Sequence, residues 1–278
     1  MDGSSPRTPK SMLARLEQVL RAYGPTITAF SGGVDSTLVA VVSARVHGDQ
    51  ALAVTGVSAS LAGSEREHAS VLAEALGLRH RLLDTHELRR PGYQANAGDR
   101  CYHCKTELFE RLRELAKREG FTTVASGDNL DDLGDYRPGL RAAKELEVRK
   151  PLIEAELGKA QIRAIARMLG LPNHQKPAAP CLASRVPAGT RVDAEVLAKV
   201  EAAEAGVRAQ GFSIFRVRHH GELARIEVAV AELPRALERR VELIAAVKRA
   251  GYLFVTLDLA GFRSGSLNVL GPKIGDPS

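Results

Sequence analysis

The segment Ser31-Gly32-Gly33-Val34-Asp35-Ser36 has the residue types and spacing to hold phosphate. The apolar run Thr26–Phe30 leads straight into it, and a helix is expected over 36–47. Glycine lets the backbone turn tightly and approach a ligand closely. A helix start at Asp35–Ser36 points unbonded N–H groups and the positive dipole end at the same place. Such a place suits an anion. No Lys-Ser/Thr pair follows a G-x-x-x-x-G, so the loop is not of the Walker type.

Other segments carry chemistry of their own. Ser126-Gly127-Asp128-Asn129-Leu130-Asp131-Asp132 gathers carboxylates, with Gly127 and Asp128 leading. They suit Mg²⁺, which usually takes one or two carboxylates plus phosphate oxygens; the same residues can instead bond their own backbone. Arg137 and Arg141 can bind phosphate or carboxylate bidentately, or lie in a surface loop entering a helix at Pro138. Cys101-Tyr102-His103-Cys104 opens a helix as half a zinc site, a redox pair or two ligands of an iron–sulfur cluster. There is no second C-x-x-C, which excludes a zinc ribbon. Cys181 lies in the proline-rich loop Gln175–Pro187, near Lys176 and Arg185 in sequence. Cationic neighbours favour thiolate; a buried structural cysteine is the plainer reading. Arg216 and Arg218 share one face of a strand, where period-2 alternation alone would set them toward solvent, and Arg263 lies further on.

The elements that must position these groups alternate. Strands are expected at 26–30, 51–57, 80–83 and 122–126, with helices over 11–23, 36–47, 64–76, 102–119 and 159–169. That order predicts a doubly wound parallel sheet, with ligands at the carboxyl ends of its strands. Residues 84–100 read as one long connection. The expected organisation is a nucleotide-binding α/β domain over 1–171, a Cys181 loop over 172–190, a small α+β domain over 191–270 and a tail over 271–278. The small domain reads as helix 193–209, strands 213–219 and 223–230, helix 232–250 and strand 252–258.

Composition narrows the function class. The chain has 278 residues, 44% hydrophobic, enough for a real core. No apolar run reaches the length of a membrane span, and the polar start lacks a signal segment, so a cytoplasmic protein with no membrane partner is expected. A net charge of +6 fits phosphate-bearing ligands. Aromatics at 4% and no Trp argue against a nucleic-acid stacking platform. Three cysteines are an odd number for a disulfide framework and read as metal ligands or reactive thiols.

The S-G-G-V-D-S string resembles the PP-loop of ATP pyrophosphatases, which cleave ATP between the α and β phosphates. The resemblance narrows with Arg100-Cys101-Tyr102, Asp135–Ala143, Pro180-Cys181-Leu182-Ala183-Ser184-Arg185 and Gly261–Asn268. Together they resemble the LarE family of ATP-dependent sulfur transferases, over about residues 12–270. The resemblance implies a PP-loop α/β domain with a smaller C-terminal domain, often in a homo-oligomer. It implies ATP and Mg²⁺, and a small nucleotide substrate, pyridinium-3,5-biscarboxylic acid mononucleotide, whose carboxylates become thiocarboxylates for a nickel-pincer cofactor. Ser31, Gly32, Gly33, Asp35 and Ser36 would hold pyrophosphate, with Gly127, Asp128 and Arg137 completing the nucleotide site and Asp35 and Asp128 holding the metal. Arg216, Arg218 and Arg263 would take the substrate phosphate. In one branch of the family the cysteine matching Cys181 gives up its own sulfur; in another, three cysteines hold a [4Fe-4S] cluster. Cys101, Cys104 and Cys181 match all three, which favours the cluster. A PP-loop tRNA thiolase and an ammonia-using amidotransferase are the competing readings.

Overall fold

The computed structural model describes residues 8–134, 138–177, 179–263 and 265–267. These divide into two compact units. The first comprises the chain up to Ser58, then Gly63–Glu87 and Cys101–Ala179; the second comprises Ala59–Ala62, Leu88–Arg100 and the chain from Pro180. The linear boundaries expected from composition do not contain the two short excursions into the second unit. The proline-rich stretch is itself divided between the units, between Ala179 and Pro180.

The first unit begins with α1 (Pro9–Arg21), β1 (Thr26–Ala29), α2 (Val34–His47), β2 (Ala51–Val57), α3 (Gly63–Ala75) and β3 (His80–Asp84). The chain then enters the second unit through a 3₁₀ turn and α4 (Pro91–Ala95), where a single long connection was expected. Asn96 ends α4 in the left-handed region at φ 51°. Its side-chain amide donates to Pro187 O (2.8 Å) and Thr190 O (3.0 Å), which fixes that turn. Then come α5 (Arg100–Glu119), β4 (Thr123–Ala125), α6 (Pro138–Glu145), α7 (Pro151–Glu154) and α8 (Lys159–Met168).

The four strands form a parallel sheet in the order β3-β2-β1-β4, with Thr26 opposite both Ala51 and Thr123. Near-continuous burial along β1 and β2 follows from cover on both faces. Leu16, Leu20, Leu38, Ile162 and Ile165 form one apolar layer, and Ile27, Val54, Phe109, Leu112 and Leu115 form another. Each fully buried Leu or Ile contributes about 1.5–3 kcal/mol. Between β1 and β4 the sheet order reverses direction, and a ligand crevice belongs at that point.

The second unit continues with α9 (Ala194–Ala209), β5 (Phe215–His220), β6 (Leu223–Val228), α10 (Leu233–Glu238), α11 (Arg240–Arg249) and β7 (Phe254–Leu257). Asp193 caps α9 by accepting from Val196 N at 2.9 Å. β5 and β6 pair antiparallel, and β6 and β7 pair parallel. Phe212, Phe215, Val217, Ile226, Leu243 and Tyr252 fill the core beneath them. The single helix expected over 232–250 is broken at Arg239, whose φ of −89° and ψ of 17° leave the helical region. Its guanidinium donates to Gln210 Oε1 (2.8 Å), which holds the break.

Candidate active site

The loop after β1 is fastened by its own serines. Ser36 Oγ accepts from Ser31 N (3.1 Å), lies 3.1 Å from Ser31 Oγ and donates to Gly33 O (3.2 Å). Gly32 sits at φ +69°, where any other residue is strained. A β-carbon there would also press on the His68 ring at 3.2 Å. Helix α2 starts at Val34, earlier than the sequence suggested, with Gly33 as an N-cap that supplies no side chain. Val34 is buried in the apolar layer, which draws it into the helix. The first turn of α2 therefore keeps N–H groups that no capping side chain occupies, an anion site in shape and dipole.

Asp35 is the focus of the charges around this loop. Its Oδ2 accepts from Lys159 Nζ and, at 3.5 Å, from Asn129 Nδ2. Its Oδ1 is buried and has no hydrogen-bond partner among the described residues. Burial raises the carboxyl above its ordinary pKa and Asp132 adds to the rise, while Lys159 opposes it. Asp128 turns its Oδ2 to Ser126 Oγ (2.6 Å). Asp132 accepts from Asn129 N (2.9 Å), and Asp131 accepts from Lys159 N (2.7 Å). An orphaned, hard carboxylate oxygen beside a phosphate cradle fits Mg²⁺, which takes one or two carboxylates and completes its shell with phosphate and water.

Sequence reasoning singled out Gly127 and Asp128 in the second loop but missed the partners Lys159 and Asn173. Asn173 donates to Gly32 O (3.0 Å) and Thr37 Oγ1 (2.9 Å), so it braces the loop from behind. No local motif marks either residue; only the fold brings them in. Gly127 has a steric duty, because a β-carbon there would stand 2.8 Å from Ser36 N. Gly127→Ala is expected to push the two loops apart, destabilising the fold by about 1–3 kcal/mol and weakening ATP binding. Thermal melts with and without ATP check this. Arg137 lies outside the described residues. Arg141 stacks on the Tyr102 ring at 3.9 Å and pairs with Glu145 at 3.6 Å.

The cysteines occupy two settings. Cys101 and Cys104 lie in the first turns of α5, three residues apart and so on one face. Tyr102 donates to Glu145 Oε2 (2.6 Å), which ties α6 to this turn. Cys181, in the second unit, is exposed and immediately precedes the 3₁₀ turn Leu182–Arg185. Cys101 is exposed, Cys104 is half-buried, and all three are thiols rather than disulfides. Within the described residues no three His, Cys, Asp or Glu side chains gather at metal-binding distance. What the chain offers such a cluster is donor chemistry alone: three thiols outside any disulfide, the ligand type iron–sulfur clusters require.

Arg185 and Lys176, read from sequence as cations beside Cys181, are both paired. Arg185 is buried and makes a bidentate bridge to Glu204 (2.8 and 3.0 Å), and Lys176 pairs with Glu65 at 2.7 Å. A buried guanidinium requires such a partner. Arg185 also donates to Pro180 O (2.6 Å) and Cys181 O (2.9 Å), and thereby holds the Cys181 turn.

On β5, Arg218 is buried against Glu227 (2.7 and 3.0 Å) and donates to Ser184 O (3.3 Å). Glu227, itself fully buried, also accepts from Arg225 (3.2 Å) and Ser266 Oγ (2.6 Å). Arg216 differs. It is half-buried, rests over the Phe262 ring at 5.1 Å and has no carboxylate partner among the described residues. Burial lowers its pKa, and the neighbouring Arg185 lowers it further. Glu204 and Glu227 act the other way, but neither makes an ion pair with it among the described residues, which leaves a cation suited to an anionic ligand. Arg263 is exposed.

Comparison with known proteins follows the same lines. The Asparagine synthase family model matches residues 14–89. The pyridinium-3,5-bisthiocarboxylic acid mononucleotide synthase of Lactiplantibacillus plantarum is 37% identical over 256 residues, covering 92% of this chain and 93% of that enzyme. The chain belongs to the LarE family. As a LarE-family protein it is an ATP-dependent PP-loop enzyme, a LarE-like sulfur insertase. The protein slr1717 of Synechocystis sp. is 44% identical over 93% of this chain and 97% of its own length. The tRNA-specific 2-thiouridylase MnmA of Azorhizobium caulinodans is 31% identical, but over only 65% of this chain and 55% of that enzyme. Among the described residues of this LarE-family chain, no helix is long and apolar enough to cross a membrane.

Proposed function

We propose that this enzyme adenylates the carboxylates of pyridinium-3,5-biscarboxylic acid mononucleotide and converts them to thiocarboxylates, with sulfur delivered through Cys101, Cys104 and Cys181. The full-length likeness to a synthase named for that product carries the reading. A carboxylate is a poor acyl donor. Its oxygen attacks the α-phosphorus of ATP, the bond to the β-phosphate breaks, and pyrophosphate departs into the N–H groups of the first turn of α2, from Val34 to Ser36. Mg²⁺ at Asp35, with Asp128 in the adjoining loop, would neutralise the charge that builds there. The acyl adenylate is then open to a sulfur nucleophile, which displaces AMP.

A [4Fe-4S] cluster on the three cysteines would supply the transferable sulfide. Arg185 fixes the Cys181 turn by its carbonyls, so the thiol is presented from a rigid base. Arg216, with Arg263, takes the substrate phosphate, while Arg218, already neutralised by Glu227, supports the strand beneath. Arg216→Ala is expected to raise the KM for the nucleotide acid about tenfold or more, with kcat for pyrophosphate release largely kept. Steady-state kinetics over substrate concentration check this. The reading as a whole is tested by pyrophosphate release from ATP. Release should depend on the pyridinium dicarboxylate and yield AMP. ATP bound without pyrophosphate release, or release driven by tRNA or ammonia instead, overturns it.

A further inference from the structure

The PP-loop has no lysine of its own, yet the fold delivers one. Lys159 opens α8, and its Nζ reaches Asp35 Oδ2 from 124 residues away in sequence. Its backbone is pinned, since Lys159 N donates to Asp131 Oδ2 at 2.7 Å. Its side chain ends on Asp35 and is 42% exposed, against 22% for Asp35. The lysine therefore has a fixed stem and an ammonium that solvent and an incoming ligand can reach. Asp35 meanwhile keeps one buried oxygen without a hydrogen-bond partner, on the carboxylate that suits a divalent cation.

We infer that Lys159 and a divalent cation are alternative counter-ions of Asp35, and that Lys159 transfers its ammonium to the pyrophosphate oxygens when metal-bound ATP enters. A doubly charged cation at Asp35 repels an ammonium on the same carboxylate. The incoming polyphosphate offers that ammonium a stronger partner, and lysine binds phosphate as a compact point charge. Without nucleotide, Lys159 keeps a partly buried carboxylate from standing unpaired, a costly state. This device rests on the reading of the loop as a pyrophosphate site.

The test uses the full chain and its Lys159→Met and Lys159→Arg variants. Mn²⁺ binding is measured by electron paramagnetic resonance without nucleotide, and pyrophosphate binding by calorimetry at saturating Mn²⁺. The Met variant should bind Mn²⁺ about tenfold more tightly, because its competitor is gone, and pyrophosphate about tenfold more weakly. The Arg variant should recover most of the pyrophosphate affinity. A Met variant whose Mn²⁺ or pyrophosphate affinity matches wild type overturns the inference and leaves the site intact. Wild-type protein that binds no pyrophosphate sinks the reading of the loop itself. Should the Met variant melt early, Lys159→Gln makes the same comparison with a polar side chain of similar length.

Discussion

Cys181→Ser is expected to abolish thiocarboxylate formation, by about a thousandfold or more, while substrate-dependent pyrophosphate release continues. In the proposed reaction the two half-reactions draw on different residues: adenylation on the loop around Ser31–Ser36 and Asp35, all in the first unit, and sulfur transfer on Cys181, in the second. A serine oxygen neither donates sulfur nor replaces a thiolate on iron. The Cys181 turn should survive the exchange, because Arg185 holds it by the carbonyls of Pro180 and Cys181 and not by the thiol. Pyrophosphate and product are measured in the same reaction, the second by mass spectrometry. A variant that still makes thiocarboxylate would place the sulfur donor elsewhere.

Cys101→Ser should remove iron. Protein purified without oxygen is expected to carry roughly four irons and as many acid-labile sulfides per chain, and the variant should lose most of both. Cys101 is exposed on the first turn of α5, so the substitution removes a ligand without opening the core. The Cys181 route alone predicts the opposite: little iron in either protein, no effect of Cys101→Ser on a single turnover, and a chain lighter by one hydrogen sulfide afterwards. Iron and sulfide assays beside intact mass spectrometry separate the two.

Much of the first unit was legible because its signals are local. The apolar run before Ser31, the glycines after it and the alternation of strands and helices require no distant partner to be read. The parallel sheet followed from that alternation. Lys159 and Asn173 were not legible. Each acts on the loop from more than a hundred residues away, through contacts that only the packed sheet creates. Arg185 and Lys176 were legible as cations near Cys181 in sequence, but their pairing was not, for a related reason. Charge along a chain is visible, but the carboxylate that neutralises it is brought by the fold, here Glu204 on α9 and Glu65 on α3. Nor was the break at Arg239 in the helix expected over 232–250 legible; its side chain meets Gln210, a partner no periodicity reveals.

The most direct measurement is the mass of the small-molecule product after reaction of anaerobically purified enzyme with ATP, Mg²⁺ and pyridinium-3,5-biscarboxylic acid mononucleotide. Exchange of carboxylate oxygen for sulfur, accompanied by AMP and pyrophosphate, is the predicted result. An unchanged dicarboxylate despite intact iron and bound ATP, or sulfur found on tRNA instead, would contradict the account.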